Sequence, residues 1–190
     1  MNKKAFYLVV SLQALILVGM ILINQSILWC GQEVILETEP IDPYSLFSGE
    51  YVSLRYKAAH IPLDKVQHPD LNNTNQAGEH YARGSRVFIQ LEKQGDEWQA
   101  VKISKQRKDM GNNLYMTARV DWIRYWSEGK KTEVPHIMVH YGIESYYTPE
   151  GTARNYEKTE MRGLKVKVAV DSYGRSKIIQ LIPPDKQYLL

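Results

Sequence analysis

Hydrophobic positions along the chain fall into two regimes. Residues 5–23 are an almost unbroken run of Leu, Val, Ile, Ala, Phe and Met, interrupted only by Tyr7, Ser11, Gln13 and Gly19. No charged residue occurs between Lys4 and Glu33. Beyond that point the pattern switches to alternation with a period of two. About twenty apolar residues at 1.5 Å each reach across a hydrocarbon core of roughly 30 Å. A buried core helix would carry a polar face, and this segment has almost none. Residues 5–24 are therefore expected to form a transmembrane anchor.

Lysines before an apolar run also describe a secretory signal. Here Asn24-Gln25-Ser26-Ile27-Leu28-Trp29 offers no small-x-small cleavage site. Trp29 also stands just before Cys30, where lipid attachment expects a small residue, and it suits a membrane interface instead. Lys3 and Lys4 precede the span, whereas Glu33, Glu37 and Glu39 follow it. The expected topology is a single-pass protein of the cell membrane, with residues 1–4 cytoplasmic and residues 25–190 outside. The one cysteine, Cys30, has no partner within the chain. It is either a free thiol near the bilayer or a link to a second subunit.

In the outer region, alternation predicts strands over residues 32–37, 50–56, 86–92, 98–104, 114–122, 136–147, 164–170 and 176–182. Val52, Leu54 and Tyr56 share one face. So do Leu114, Met116, Ala118, Val120 and Trp122, and likewise Ile137, Val139, Tyr141 and Ile143. Gln94-Gly95-Asp96 and Asp171-Ser172-Tyr173-Gly174 read as hairpin turns. Residues 66–84, rich in Asn, Asp, Gly and His with few aliphatics, are expected to be a flexible exposed loop. Residues 105–113 and 126–134 read as polar connections. One helix is expected over residues 149–161, with Pro149 and Glu150 at its start and Gly163 beyond its end. The predicted class is mainly β: a small antiparallel barrel or sandwich with one short helix, preceded by the membrane helix.

Two stretches carry a resemblance. Gly49-Glu50-Tyr51-Val52-Ser53-Leu54-Arg55-Tyr56 resembles the signature of the GDYXXLXY family of bacterial membrane-anchored proteins, with Asp42-Pro43 leading into it. Tyr141-Gly142-Ile143-Glu144-Ser145-Tyr146-Tyr147-Thr148-Pro149-Glu150-Gly151 is similar to that family's second motif, and Val168-Ala169-Val170-Asp171 with Gly174-Arg175 to its closing hairpin. Glu50 departs from the signature, which has Asp. The resemblance implies an extracytoplasmic domain, often in company with multi-span membrane proteins, and no established activity. Its motif positions supply the candidate binding residues Glu50, Tyr51, Tyr56, Tyr141, Glu144, Tyr146, Glu150 and Arg154.

Charge and chemistry narrow the function. Without Lys3 and Lys4, 22 basic residues face 21 acidic ones, which leaves no basic footprint for nucleic acid. Residues 42–51 faintly resemble membrane-bound serine proteases, but that register puts Ile41 at the nucleophile, and Ile has no hydroxyl. His136 and His140 would lie about 13 Å apart on a strand, too far to share one metal ion. The five histidines are expected to be exposed. No phosphate loop, zinc framework or dinucleotide fingerprint occurs, so no cofactor or metal is expected. Glu150 at a helix start is explained by capping, and Arg154 could pair with it one turn on. Glu144 is expected to face solvent or a groove. An outward set of Tyr51, Tyr146 and Trp126 would make a docking face.

The leading expectation is a non-catalytic domain that binds an integral membrane protein. The alternatives are an envelope hydrolase acting on glycan or cell wall through Glu144 and Glu150, and a sensor with a closed apolar cavity.

Overall fold

The apolar run forms helix α1, Lys3–Cys30, and a single residue, Gly31, separates it from the first strand. The computed structural model describes residues 3–39, 51–126, 133–147 and 164–184, without the side chains of Tyr51 and Val52. At 28 residues, α1 is about 42 Å long at 1.5 Å per residue. Among the described residues it is the one helix long and apolar enough to cross a membrane. Its C-terminal turn touches the domain: Ile27 is buried, and the Gly31 N–H donates to the Ile27 carbonyl.

Among the described residues ten strands follow: β1 Gln32–Glu37, β2 Tyr51–Ser53, β3 His60–Pro62, β4 Arg86–Gln94, β5 Glu97–Ser104, β6 Tyr115–Trp126, β7 Val134–His140, β8 Ser145–Tyr147, β9 Lys165–Val170 and β10 Ser176–Ile182. A one-turn helix, α2 Ala77–His80, lies between β3 and β4. One sheet has the order β1-β9-β10, a second β3-β7-β6-β4-β5, and β2-β8 form a two-stranded ribbon. Every pairing between these strands is antiparallel.

The two larger sheets face each other across a shared core. Val34, Leu36, Val166 and Val168 from the first meet Ile89, Met116, Ile137 and Val139 from the second in one buried cluster. Their alternation along each strand is what places them on the inner face. The sheets do not close into a barrel; the architecture is sandwich-like.

Several expectations need correction. Trp122 does not share the apolar face of Met116, Ala118 and Val120. The β6–β7 register shifts between Val120 and Trp122, and the extra residue at this bulge reverses the parity of everything after it. Residues 136–147 are not one strand. β7 ends at His140, Gly142 turns the chain at φ +84°, and β8 joins a different sheet. The strand expected over residues 50–56 is regular only at Tyr51–Ser53, with Tyr56 rejoining through a bridge to Thr38.

Nor is the segment 66–84 wholly exposed, because Leu71, Ala77 and Tyr81 are buried in the core. Asp70 holds the segment together, accepting hydrogen bonds from His80 Nε2, the Tyr81 hydroxyl and the Lys105 N–H. Residues 105–113 also include a buried Met110 in a short 3-10 turn. The helix expected over residues 149–161 lies outside the described residues.

The β9–β10 turn joins the sheets. Beyond the end of β7, the place beside β6 is taken by this turn, where the Thr117 N–H donates to the Gly174 carbonyl. Gly174 sits at φ +74°, and a Cβ there would lie 2.6 Å from the Tyr115 ring. Only glycine serves both the left-handed backbone and the close approach.

Candidate functional site

The two motifs of the sequence meet in space. β2 pairs with β8 in the register Tyr51↔Tyr147, Val52↔Tyr146 and Ser53↔Ser145, and the Leu54 N–H then donates to the Glu144 carbonyl at 2.7 Å. Below this ribbon, Tyr56 and Tyr141 are buried and cross edge to face, with centroids 6.4 Å apart. The Tyr56 hydroxyl donates to the Ile143 carbonyl, and the Tyr141 hydroxyl donates to the Ala58 carbonyl. Burial first, and then the nearby Glu144 carboxylate, push both phenols well above their ordinary range. They stay protonated and act as donors.

Glu144 has a local task. Its two carboxylate oxygens accept from the backbone N–H groups of Tyr141 and Gly142, holding the turn at φ +84°. One of these oxygens also lies 3.8 Å from His140 Nδ1, while His140 Nε2 is 3.2 Å from an Asp121 oxygen. Asp121 in turn meets Arg83 at 3.4 Å.

A groove of about 490 Å³ opens beside this chain of contacts, walled by Arg55, Asp121, Trp122, Arg124, His140 and Glu144, with Tyr56 at its base. Ser53 also borders it, which sets a hydroxyl near an Asp–His pair. No hydrogen bond joins Ser53 to His140 among the described residues. A serine nucleophile needs its base at roughly 2.6–3.2 Å, so the groove is not a formed triad. No group of three or more His, Cys, Asp or Glu placed to hold a metal ion occurs among the described residues.

The sequence-derived residues divide clearly. Tyr56 and Glu144 line the groove, and Tyr141 packs against Tyr56 and bonds Glu144 without lining it. Tyr146 is partly buried against the core, while its neighbour Tyr147 is 75% exposed. Tyr51 is placed by its backbone alone, opposite Tyr147. Glu50, Glu150 and Arg154 lie outside the described residues.

Composition alone gave no sign of a histidine pair on the outer face of the large sheet. His136 is buried, not exposed, and its Nδ1 lies 3.0 Å from His60 Nε2. Trp122 lies against His60, and Trp126 against His136, with centroids 6.3 and 6.4 Å apart. The Arg124 guanidinium stacks over Trp122 at 4.9 Å. The pair brings together residues 76 positions apart, so only the β3–β7 register could have revealed it.

A search of curated proteins finds no match to the chain. The profile of the GDYXXLXY protein family matches residues 13–181. That span takes in nearly two thirds of α1, both motifs at the groove and the closing β9–β10 hairpin, and the chain belongs to the GDYXXLXY family.

Proposed function

We propose that this chain is a membrane-anchored, non-catalytic binding domain whose partner is an integral membrane protein, with α1 spanning the bilayer and the β-sandwich outside. The observation that carries the partner is the outer strip of β6. Trp126 is 57% exposed beside an Arg124 stacked on Trp122. Tryptophan, tyrosine and arginine are enriched among the residues that dominate interface energetics: the aromatics bring large rigid area at low entropic cost, and stacking on Trp122 orders the Arg124 side chain in advance. The short join to α1 adds to this, since a domain held at the bilayer meets membrane partners at high effective concentration.

The hydrolytic alternative asks more of Glu144. It would have to release an oxygen from the Tyr141 and Gly142 N–H groups before serving as acid or base. The β6 strip needs no such rearrangement.

The test is site-specific photocrosslinking of the full chain in native membranes. A benzophenone amino acid replaces Trp126 in one variant and Lys93, on the distant β4–β5 hairpin, in another. One multi-span protein captured from position 126 and absent from position 93 supports the proposal. Capture of no membrane protein, or the same set from both positions, overturns it.

A further inference from the structure

A row of basic side chains crosses the large sheet. Arg86 on β4 pairs directly with Arg119 on β6, and Arg119 pairs with His140 on β7. Residues directly opposite on antiparallel strands share a face, and like charges there are destabilising. His140 lies beside two carboxylates, Asp121 at 3.2 Å and Glu144 at 3.8 Å. Arg86 and Arg119 have no carboxylate partner among the described residues, and the one bond of the Arg119 side chain is to the Gly84 carbonyl.

The β9–β10 turn adds more of the same sign. Arg107 bonds to the Ser172 carbonyl, and its guanidinium lies 5.3 Å from the Tyr173 ring centroid. Arg175 flanks the same ring at 5.7 Å and is neutralised by Asp171. Together these residues surround an open pocket of about 660 Å³. Three arginines without carboxylate partners thus point to an anion. Guanidinium forks match the paired oxygens of a phosphate, and aromatic stacking holds their planes in place.

The join between anchor and sheet says where this pocket sits. β1 leaves the end of α1 at Gln32, which pairs with Val170, and Val170 pairs with Ser176. β9 therefore runs back toward α1, and the turn that follows it points at the membrane. The apolar run ends at Ile23, and the seven residues from Asn24 to Cys30 add about 10 Å of helix. Each headgroup layer is roughly 5–8 Å thick, so the turn lies at the headgroup surface.

We infer that the Arg86–Arg119–Arg107 pocket binds the phosphate headgroup of an anionic phospholipid in the bilayer that holds α1. The inference rests on the membrane-anchor part of the proposed function and not on the protein partner.

The test uses the full chain in nanodiscs of phosphatidylcholine alone or mixed equally with phosphatidylglycerol. Hydrogen exchange is followed at residues 171–176 and 117–119. The expected result is about tenfold slower exchange of these amides in the anionic discs. An R86Q/R119Q variant should lose that slowing yet be no less stable than the parent in neutral discs, because the repulsion is gone. R107Q should lose the slowing in the turn. Equal exchange in both discs overturns the inference and leaves the anchor standing. Equal protection by soluble glycerol phosphate in neutral discs overturns the lipid source and assigns a free phosphate. A chain that fails to co-elute with discs overturns both the anchor and the lipid site.

Discussion

Tyr56 and Tyr141 each donate a hydroxyl hydrogen bond across the other's motif. Tyr56 bonds the carbonyl two residues past Tyr141, and Tyr141 bonds the carbonyl two residues past Tyr56. This reciprocal lock joins the last tyrosine of the first motif to the first of the second, and it fixes the floor of the groove. Each phenylalanine substitution keeps the ring but leaves a carbonyl unpaired. The expected cost is about 1–2 kcal/mol for either single variant. The double variant should depart from additivity by about 0.5 kcal/mol or more. Urea unfolding of the full chain in detergent micelles measures this, and strict additivity would show two independent bonds instead of a lock.

The same tyrosines set an alkaline limit. Tyr56, Tyr81 and Tyr141 have phenols raised above their ordinary value, chiefly by burial. Above about pH 10 the unfolded chain releases these protons while the folded chain keeps them, so stability falls as pH rises. Below about pH 9 the three contribute no slope. The thermal midpoint is expected to hold to that point and then drop steeply, with a smaller slope in Y141F. A slope unchanged by Y141F would mean that Tyr141 ionises in the folded state.

Strand positions were legible because one buried face per strand writes a period of two into the sequence, as at Val34 and Leu36 or Ile137 and Val139. The same rule failed at Trp122, since nothing local in Val120-Asp121-Trp122 announces a bulge. It failed again at 66–84, where polar composition concealed one aspartate that organises three donors. At the candidate site, the tyrosines and Glu144 were legible through motif resemblance. Their partners were not, because Ala58 and Ile143 contribute only backbone carbonyls, which composition cannot encode. The Arg86–Arg119 and His60–His136 pairs depend on sheet register and so appear only once the strands are paired.

Asp70 makes the acid side testable. Burial alone would raise its carboxyl, yet donation from the Lys105 N–H, the Tyr81 hydroxyl and His80 holds it below the ordinary carboxylate range. Its side chain is 1% exposed. A lowered carboxyl stabilises the fold above its unfolded value of about 3.9, and the contribution is lost as pH falls through the lower folded value. D70N should be less stable than the parent at neutral pH and show a shallower loss of stability below about pH 4. Thermal melts from pH 2 to 7 read both effects. A parallel shift of the whole curve would assign the slope to other carboxylates.

The anchor joint gives the sharpest contrast between two glycines of one chain. A Cβ on Gly31 would lie 2.3 Å from the Ile27 carbonyl oxygen, 3.1 Å from the Val170 nitrogen and 3.2 Å from the Ala169 Cβ. Two of these are backbone atoms and cannot swing aside. Alanine there must either open the last turn of α1 or peel Gln32 away from Val170. Gly19, inside α1, meets nothing within 4 Å, and alanine there improves helix propensity by up to about 1 kcal/mol. G31A should lose about 1–3 kcal/mol and speed hydrogen exchange near residues 29–33 and 169–171, leaving β4 and β6 unchanged. G19A should do neither. If both variants behave alike, α1 and the sandwich are not rigidly joined. The proposed placement of the β9–β10 turn at the bilayer would then fail with that joint, because the Gly31 and Ile27 contacts are what fix the direction in which the sheet leaves α1.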